Sequence, residues 1–268
     1  MTAEEQKLPI QYSCYFSRSR VGEQFVPEHV IGYVVSGSLE LNDGVRTQTF
    51  GPGEIYFCRR NNLNKYTKYP AENMEFRSVS IYFDQEMLRN FSIEFGYQSE
   101  KHMPPVVFIS LKTGSVLAKY MESLRAYEAI FQQQTSKDLL AVKRKEAILL
   151  LLQEKPELKD ILFDFSDPGK IDLEAFMNKN FHFNVDLPRF AYLTGRSLST
   201  FKRDFEKIFL NTPSRWLLQR RLKEAHYLIK EKRKAASDVY LDVGFEDLSH
   251  FSFAFKKQYG MSPSHVTT

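Results

Sequence analysis

The last hundred residues of this 268-residue chain contain an internal repeat with a constant offset of 50 residues. Seven residues recur in register: Leu198, Ser199, Phe201, Phe205, Lys207, Pro213 and Ser214 return as Leu248, Ser249, Phe251, Phe255, Lys257, Pro263 and Ser264. In both copies the two phenylalanines are four residues apart, a spacing that places them on one face of a helix. The repeat therefore predicts two equivalent helices, each held by a pair of buried phenylalanines.

Each of these helices follows a shorter predicted helix, over 186–193 and 237–243, and a turn at Gly195 or Gly244. The faces opposite the phenylalanines are mostly polar, and hold Ser199, Lys202, Arg203 and Glu206 in the first copy and Ser249, Ser252, Phe253 and Lys256 in the second. A short helix, a turn and a second helix with a polar outer face form a helix-turn-helix unit, whose second helix enters the major groove of DNA. The sequence thus predicts two DNA-reading units.

A long helix is predicted between the two units. Pro213 suits its first position, directly after Thr212 as the capping residue. Residues at spacings of four, three and four are expected to form its buried stripe, namely Leu218, Leu222, Ala225 and Ile229. Such a helix would hold the two units at a fixed separation.

Charge is distributed unevenly along the chain. Residues 170–268 contain 17 Lys and Arg against 11 Asp and Glu, whereas residues 1–169 contain 20 against 22. A basic C-terminal half suits a polyanion such as DNA, although ordinary surfaces also show excesses of this size. No apolar run approaches the about 20 residues that span a bilayer, and no signal peptide is recognisable. We therefore expect a cytoplasmic protein without membrane contact, in which Cys14 and Cys58 are reduced.

The first half of the chain combines strands with helices. Val30 to Leu41 is rich in β-branched residues around a Ser-Gly-Ser turn, and Glu75 to Phe83 alternates as a half-buried strand does. Ser115 to Phe131 and Ser136 to Glu154 show helical periodicity. The fold class predicted is α+β with two domains: an antiparallel barrel or sandwich over about 10–85 with flanking helices over about 86–163, a linker at 164–170, and an all-α domain over 171–268.

The run from Asp242 to Ser264, Asp-Val-Gly-Phe-Glu-Asp-Leu-Ser-His-Phe-Ser-Phe-Ala-Phe-Lys-Lys-Gln-Tyr-Gly-Met-Ser-Pro-Ser, resembles the signature of the AraC/XylS family of transcription regulators. The resemblance covers about a hundred residues and implies two helix-turn-helix units that read neighbouring major-groove segments. Two positions depart from the family pattern. Leu210 stands where the family usually has glycine, so Asn211 is expected to supply the left-handed turn, and Tyr240 replaces a small residue.

The resemblance also implies which side chains face DNA. The base-facing candidates are Ser199, Lys202, Arg203, Ser249, His250, Ser252 and Phe253, with Arg196, Leu198, Glu206, Leu248 and Lys256 at the margins. Lys and Arg read guanine edges or hold phosphates, and a phenylalanine contacts a thymine methyl group. Packing at the domain junction is an equally good interpretation of Phe253. Because the second helix has no Arg, Asn or Gln on this stripe, we expect weaker base readout there.

The N-terminal half resembles the cupin-like sensory domain of the same family, through the segment that begins at Tyr33 and the Pro-Gly-Glu turn at Pro52. A metal-dependent cupin enzyme needs clustered His and carboxylate ligands, whereas His29 stands alone, so we expect no metal, no cofactor and no catalytic residue. The alternative is a cupin-type enzyme or carbohydrate-binding protein with a DNA-binding appendage. The aromatic residues of the barrel either line a pocket or fill it, among them Tyr33, Tyr56, Phe57 and Tyr82.

The resemblance implies several partners: double-stranded promoter DNA, RNA polymerase, and a small-molecule or protein effector, between which the sequence does not distinguish. A homodimer is also expected. One stripe of the helix over 137–153 offers an interface for it, although packing against its own barrel explains this stripe equally well; its residues are Leu140, Ala147 and Leu151.

Overall fold

The computed structural model describes residues 8–20, 24–104, 106–133 and 136–266. The chain divides into two compact units, with the main boundary between Ser166 and Asp167, and the second unit also includes residues 24–25. The strands belong to the N-terminal part of the chain: β1 (Ile10–Tyr15), β2 (Phe25–Val26), β3 (His29–Ser36), β4 (Ser38–Asn42), β5 (Thr47–Phe50), β6 (Ile55–Cys58), β7 (Asn62–Leu63), β8 (Lys65–Tyr69), β9 (Phe76–Phe83) and β10 (Phe108–Ser110).

These strands form three sheets, in the orders β1-β9-β3-β6-β10, β5-β4-β8 and β2-β7, and the pairings in the two larger sheets are antiparallel. In the large sheet β3 and β9 pair in the middle, with Ile31 opposite Ile81 and Tyr33 opposite Val79. The predicted two-domain α+β class is confirmed, but the sheets do not close into a barrel among the described residues. The large and the three-stranded sheets instead bury a shared apolar layer that includes Val34 and Leu41, so side-chain packing replaces a closed ring of hydrogen bonds.

Helices cover the other face of the large sheet. Those of the N-terminal unit are α1 (Gln85–Phe95), α2 (Val116–Ser123), α3 (Glu128–Gln132), α4 (Lys137–Glu154) and α5 (Lys159–Leu162). The single helix predicted from Ser115 to Phe131 is interrupted by a 3-10 turn at Leu124–Tyr127. The interruption lies where the carbonyl of Leu124 accepts a hydrogen bond from the Tyr12 hydroxyl at 2.6 Å.

The stripe of α4 that was predicted as a dimer interface lies in the core instead. Ala147 and Leu151 are fully buried among the helices and the large sheet, and Leu140 packs against the same cluster while partly exposed. The prediction is corrected for Ala147 and Leu151, because their apolar surface is already covered within the chain, and it stays a prediction for Leu140. On the solvent side, α4 exposes Val142 and Leu149.

The C-terminal unit is helical: α6 (Leu173–Asn180), α7 (Leu187–Leu193), α8 (Leu198–Phe209), α9 (Pro213–Lys230), α10 (Ala236–Asp242) and α11 (Leu248–Tyr259), followed by a 3-10 turn. The buried stripe of α9 differs from the prediction at one end. Leu217 is buried and Leu218 is 38% exposed, because the helix continues the face of Pro213, four residues before Leu217. No described helix has both the length and the apolar composition needed to cross a membrane.

The segment between the units is attached at both ends. Its first residues belong to the N-terminal unit, where the buried Arg60 guanidinium donates from Nη2 to the carbonyls of Asp164, at 2.8 Å, and Ser166, at 3.0 Å. Its next residue belongs to the C-terminal unit, where Asp167 accepts a hydrogen bond from the Tyr192 hydroxyl at 3.1 Å. Ser166 is therefore held by a residue of the N-terminal unit, and the next residue, Asp167, by a residue of the C-terminal unit.

Candidate nucleic-acid interface

The first helix-turn-helix unit consists of α7 and α8. Asp186 caps α7 by accepting from the backbone N–H of Arg189, and Ser197 caps α8 by accepting from that of Thr200. Gly195 turns the chain between them with φ +65°, and an added Cβ would lie 2.4 Å from the carbonyl carbon of Gly169. A residue with a side chain does not fit this turn.

The outer face of α8 is open to solvent while its inner face is fixed. Phe201 and Phe205 are fully buried, as the repeat predicts. The predicted DNA-facing residues of this helix are all exposed, namely Leu198, Ser199, Lys202, Arg203 and Glu206. The Arg203 guanidinium keeps most of its surface in water although its Nε lies 3.6 Å from Asp204. This helix presents two adjacent cations on a rigid support.

Arg196 departs from its predicted place in the DNA-facing set. Its side chain is only 7% exposed, its Nε donates to Asp204 at 3.2 Å, and its Nη1 donates to the carbonyls of Ile171 and Thr194. These contacts tie the turn and α8 to the chain before α6. The prediction is corrected for this residue, because a guanidinium committed to three internal acceptors supports the unit rather than facing solvent.

The second unit, formed by α10 and α11, repeats this arrangement. Asp247 caps α11 through the backbone N–H of His250, and Phe251 and Phe255 are fully buried. Of the predicted residues, Ser252 is partly buried and the others are exposed, namely Leu248, Ser249, His250, Phe253 and Lys256. With 72% of its surface in solvent, the Phe253 side chain lies on the outer face of α11 and does not fill the core.

The turns that end α8 and α11 differ in one residue. Gly260 ends α11 in the left-handed conformation at φ +76°, and Leu210 occupies the same conformation after α8 at φ +51° and ψ +32°. The expectation that Asn211 supplies this turn is wrong. The N–H of Leu210 closes the helix by donating to Glu206, a hydrogen bond that fixes the left-handed residue at this position in both copies.

Sequence reasoning missed Arg221, a cation of α9 whose guanidinium lies inside the C-terminal unit. Its guanidinium donates to the carbonyls of Phe181, Phe183 and Gly244, each at 2.8 Å. Burial lowers the pKa of Arg221 to about 10, with Glu246 acting in the opposite direction, so the group stays protonated at neutral pH. The signal was available: Arg221 lies four residues from both Leu217 and Ala225, on the buried stripe of α9.

The N-terminal unit holds His29 and the aromatic Tyr56 inside the fold. His29 is fully buried against Phe57, its Nδ1 accepts from the backbone N–H of Arg60, and its pKa is well below the usual range because of burial and the neighbouring Arg60 and Arg59. Tyr56 is buried between the large sheet and the three-stranded sheet, where it covers Gly32 so closely that a Cβ on Gly32 would lie 2.1 Å from the Tyr56 ring. Over the described ranges, no group of three or more His, Cys, Asp and Glu side chains is placed to hold a metal.

Comparisons with known proteins cover both units. Residues 190–268 match a family model described as a helix-turn-helix domain, and residues 29–161 match one described as the ExsA N-terminal regulatory domain. The chain is similar to the HTH-type transcriptional regulator ExsA of Pseudomonas aeruginosa, with 24% identity over 94% of this chain and 90% of that protein. It is also similar to the thermoregulatory protein LcrF of Yersinia pestis, with 23% identity over 87% and 86% of the two chains.

Among solved structures, apo ToxT from Vibrio cholerae matches with a TM-score of 0.48 and 12% identity over 96% of both chains. The two family models cover most of the sequence, one for each unit, and the C-terminal match includes both α8 and α11. Full-length relatives are named as regulators of transcription. The chain belongs to the AraC/XylS family of transcription regulators, with an N-terminal regulatory domain and a C-terminal DNA-binding domain.

Proposed function

We propose that this protein is a sequence-specific activator of transcription that inserts α8 and α11 into two neighbouring segments of the major groove. The observation that carries the proposal is the pair of repeat-equivalent helices, each capped at its N-terminus, fixed by two buried phenylalanines and open to solvent on the opposite face. A helix of this kind fits the major groove, where base edges are read.

In this proposal α8 reads bases through Ser199, Lys202 and Arg203. The two cations form hydrogen bonds to guanine or to phosphates, while Leu198 and Glu206 lie at the margins of the contact. Both cations are exposed and the helix beneath them is rigid, so no rearrangement of the unit is needed before binding. We expect this helix to supply most of the sequence discrimination.

The second helix contributes differently. Its outer face offers Ser249, His250, Ser252 and Phe253 to the bases, with Leu248 and Lys256 at the margins. The exposed Phe253 ring suits a thymine methyl group. Because α11 has no Arg, Asn or Gln on this face and begins beside Glu246 and Asp247, we expect it to depend more on groove shape and backbone contacts than α8 does.

The N-terminal unit is proposed to control this activity through a small ligand or a protein partner. Activation is supported by relatives named as transcriptional activators, VirF of Yersinia enterocolitica and RhaS of Escherichia coli. RNA polymerase is then the expected partner at the promoter, and a homodimer is the expected form. The exposed Val142 and Leu149 of α4 are better placed for self-association than the buried residues on the opposite face. Regulation without catalysis accounts for both units.

The test is selection of bound duplexes from a random DNA pool by the full-length protein, followed by affinity measurements at several salt concentrations. We expect a bipartite site whose elements lie about one helical turn, roughly 34 Å, apart. The double variant Lys202→Ala with Arg203→Ala should lose binding to the selected site.

The matched control removes the same charge elsewhere: Lys230→Ala with Lys232→Ala, at the end of α9. This variant should keep its sequence preference. Recovery of no sequence motif, or an equal loss of affinity in the two double variants, would contradict the proposal, since a general polyanion surface gives that result.

A further inference from the structure

The two helix-turn-helix units touch at a seam that contains the guanidinium of Arg221. On one side lie the carbonyls of Phe181 and Phe183, in the loop that leads into α7 of the first unit. On the other side lies the carbonyl of Gly244, in the turn between α10 and α11 of the second unit. Arg221 of α9 donates to all three, so a single guanidinium joins both units and the helix between them.

The chemistry of the seam requires arginine. Its planar guanidinium holds Nε, Nη1 and Nη2 in a rigid fork, and each of the three nitrogens reaches a different carbonyl at 2.8 Å. A lysine ammonium is a single point charge at the end of a flexible chain, so it does not hold three separate carbonyls in one plane. Hydrogen bonds from a charged donor are also stronger than those between neutral groups.

The two helix-turn-helix units pack so closely at this seam that there is no room for a side chain at Gly244. Gly244 has φ +97°, and a Cβ there would lie 2.8 Å from the carbonyl oxygen of His182 and 3.0 Å from Nε of Arg221. A second link crosses the same seam, since the Asn184 amide donates to the Glu246 carboxylate at 2.6 Å. Direct contact across the seam therefore accompanies the Arg221 hydrogen bonds.

We propose that Arg221 is the positioning residue that fixes the orientation of the two helix-turn-helix units relative to each other. It thereby sets the spacing of the two DNA elements that the protein reads together. This inference rests on the proposed reading of DNA by both units. α9 alone does not fix the orientation, because a helix fixes the distance between its ends but leaves the packing of each unit around it to side-chain contacts.

The first experiment needs no DNA. Spin labels are attached at Lys207→Cys and Lys257→Cys, repeat-equivalent exposed positions on α8 and α11, in a Cys14→Ser background, and the distance between them is measured by pulsed electron paramagnetic resonance. We expect a narrow distribution in the otherwise unchanged protein and a broader or shifted one with Arg221→Lys. Lys223→Met is the control, because it removes a charge from the exposed face of the same helix and should leave the distribution unchanged.

The second experiment uses DNA duplexes selected by the wild-type protein, with both elements, with the first element alone, and with one or two base pairs inserted between the elements. Arg221→Lys should bind the single element within about twofold of wild type but lose most of the gain from the second element, about tenfold or more, and should discriminate less between spacings. Lys223→Met should retain both the gain and the spacing preference.

The outcomes separate this inference from the proposed function. If the wild type selects no bipartite site, the proposed function fails, and the label distances still decide whether Arg221 orients the units. Unchanged label distances in Arg221→Lys overturn the inference, as does an equal loss on single and double elements. If Arg221→Lys unfolds, as judged by Trp216 emission, Arg221→Gln tests the same contacts, because its neutral amide reaches fewer of the three carbonyls and leaves no unpaired charge at the seam; unchanged label distances and spacing preference there overturn the inference as well.

Discussion

Replacing Leu210 with glycine is expected to stabilise the C-terminal unit. A left-handed conformation costs an L-residue about 1–2 kcal/mol, and Leu210 adopts it at the end of α8. Glycine avoids that cost but loses more backbone entropy on folding, by about 0.5–1 kcal/mol relative to alanine. The Leu210 side chain is 89% exposed, so its removal sacrifices little apolar burial.

The two contributions leave a net stabilisation of about 0.5–1 kcal/mol for Leu210→Gly. For a unit of about 100 residues this raises the Tm by roughly 4 °C. The assay is thermal unfolding followed by the fluorescence of Trp216, the only tryptophan in the chain, which packs against Phe205 and Phe209 of the same unit.

Leu210→Ala is the matched control, because alanine keeps the Cβ that causes the strain while removing the rest of the side chain. Its Tm should stay close to that of the wild type. The reciprocal change Gly260→Ala introduces the strain into the second copy, where φ is +76° and an added Cβ meets no other atom within 4 Å, so it should cost about 1 kcal/mol. A Tm for Leu210→Gly at or below that of Leu210→Ala would refute the strain argument.

Three further results are expected. Burial raises the pKa of the Cys58 thiol to about 12, so at pH 8 an alkylating reagent should modify the exposed Cys14 in the native protein and Cys58 only after unfolding; equal rates by mass spectrometry would contradict this. A hydrogen bond from Arg196 lowers the pKa of Asp204, so this carboxylate stabilises the fold above the unfolded pKa and the effect is lost as pH falls through the lower folded value. The Tm difference between wild type and Asp204→Asn should therefore shrink as pH falls below about 4, and a constant difference would exclude this linkage. Gly195→Ala should lower the free energy of unfolding by about 2 kcal/mol or more, because the added Cβ would lie 2.4 Å from the backbone of Gly169 in a turn with positive φ. A Tm equal to that of the wild type would show that the turn can move to make room.

The helices of the two helix-turn-helix units were predictable because the residues that begin and end them are close together in sequence. Asp186 and Asp247 each cap a helix by accepting a hydrogen bond from the backbone N–H three residues later, and a glycine turn separates the two helices of each pair. The constant offset of the repeat strengthened the prediction. One pair of phenylalanines four residues apart predicts a helix, and the same pair repeated in register predicts that the whole helix-turn-helix unit is repeated. The predicted residues of α8 and α11 consequently share two outer faces, although their contact with DNA stays a prediction.

The remaining features depend on contacts between residues that are distant in sequence. A period of two identifies a strand such as β9 but not its neighbours, so the sequence did not distinguish packed sheets from a closed barrel. A helical stripe such as that of α4 is apolar whether it packs within the chain or against a second copy. Arg196 looks like a surface cation in sequence, and only the groups that the fold places around it show that it is structural. For Arg221 the helical spacing points to burial, but the three carbonyls that it joins come from segments that the spacing does not identify.

The residues on both sides of the peptide bond between Ser166 and Asp167 are held by hydrogen bonds, from Arg60 to the residues before it and from Tyr192 to the residue after it. A flexible glycine-serine insert at this bond would leave both sets of contacts intact while lengthening the tether. The effective concentration of one unit around the other falls with about the −3/2 power of the length of such a linker. Tether length can then be changed without altering either set of contacts, and regulation that depends on this tether would weaken gradually as it grows.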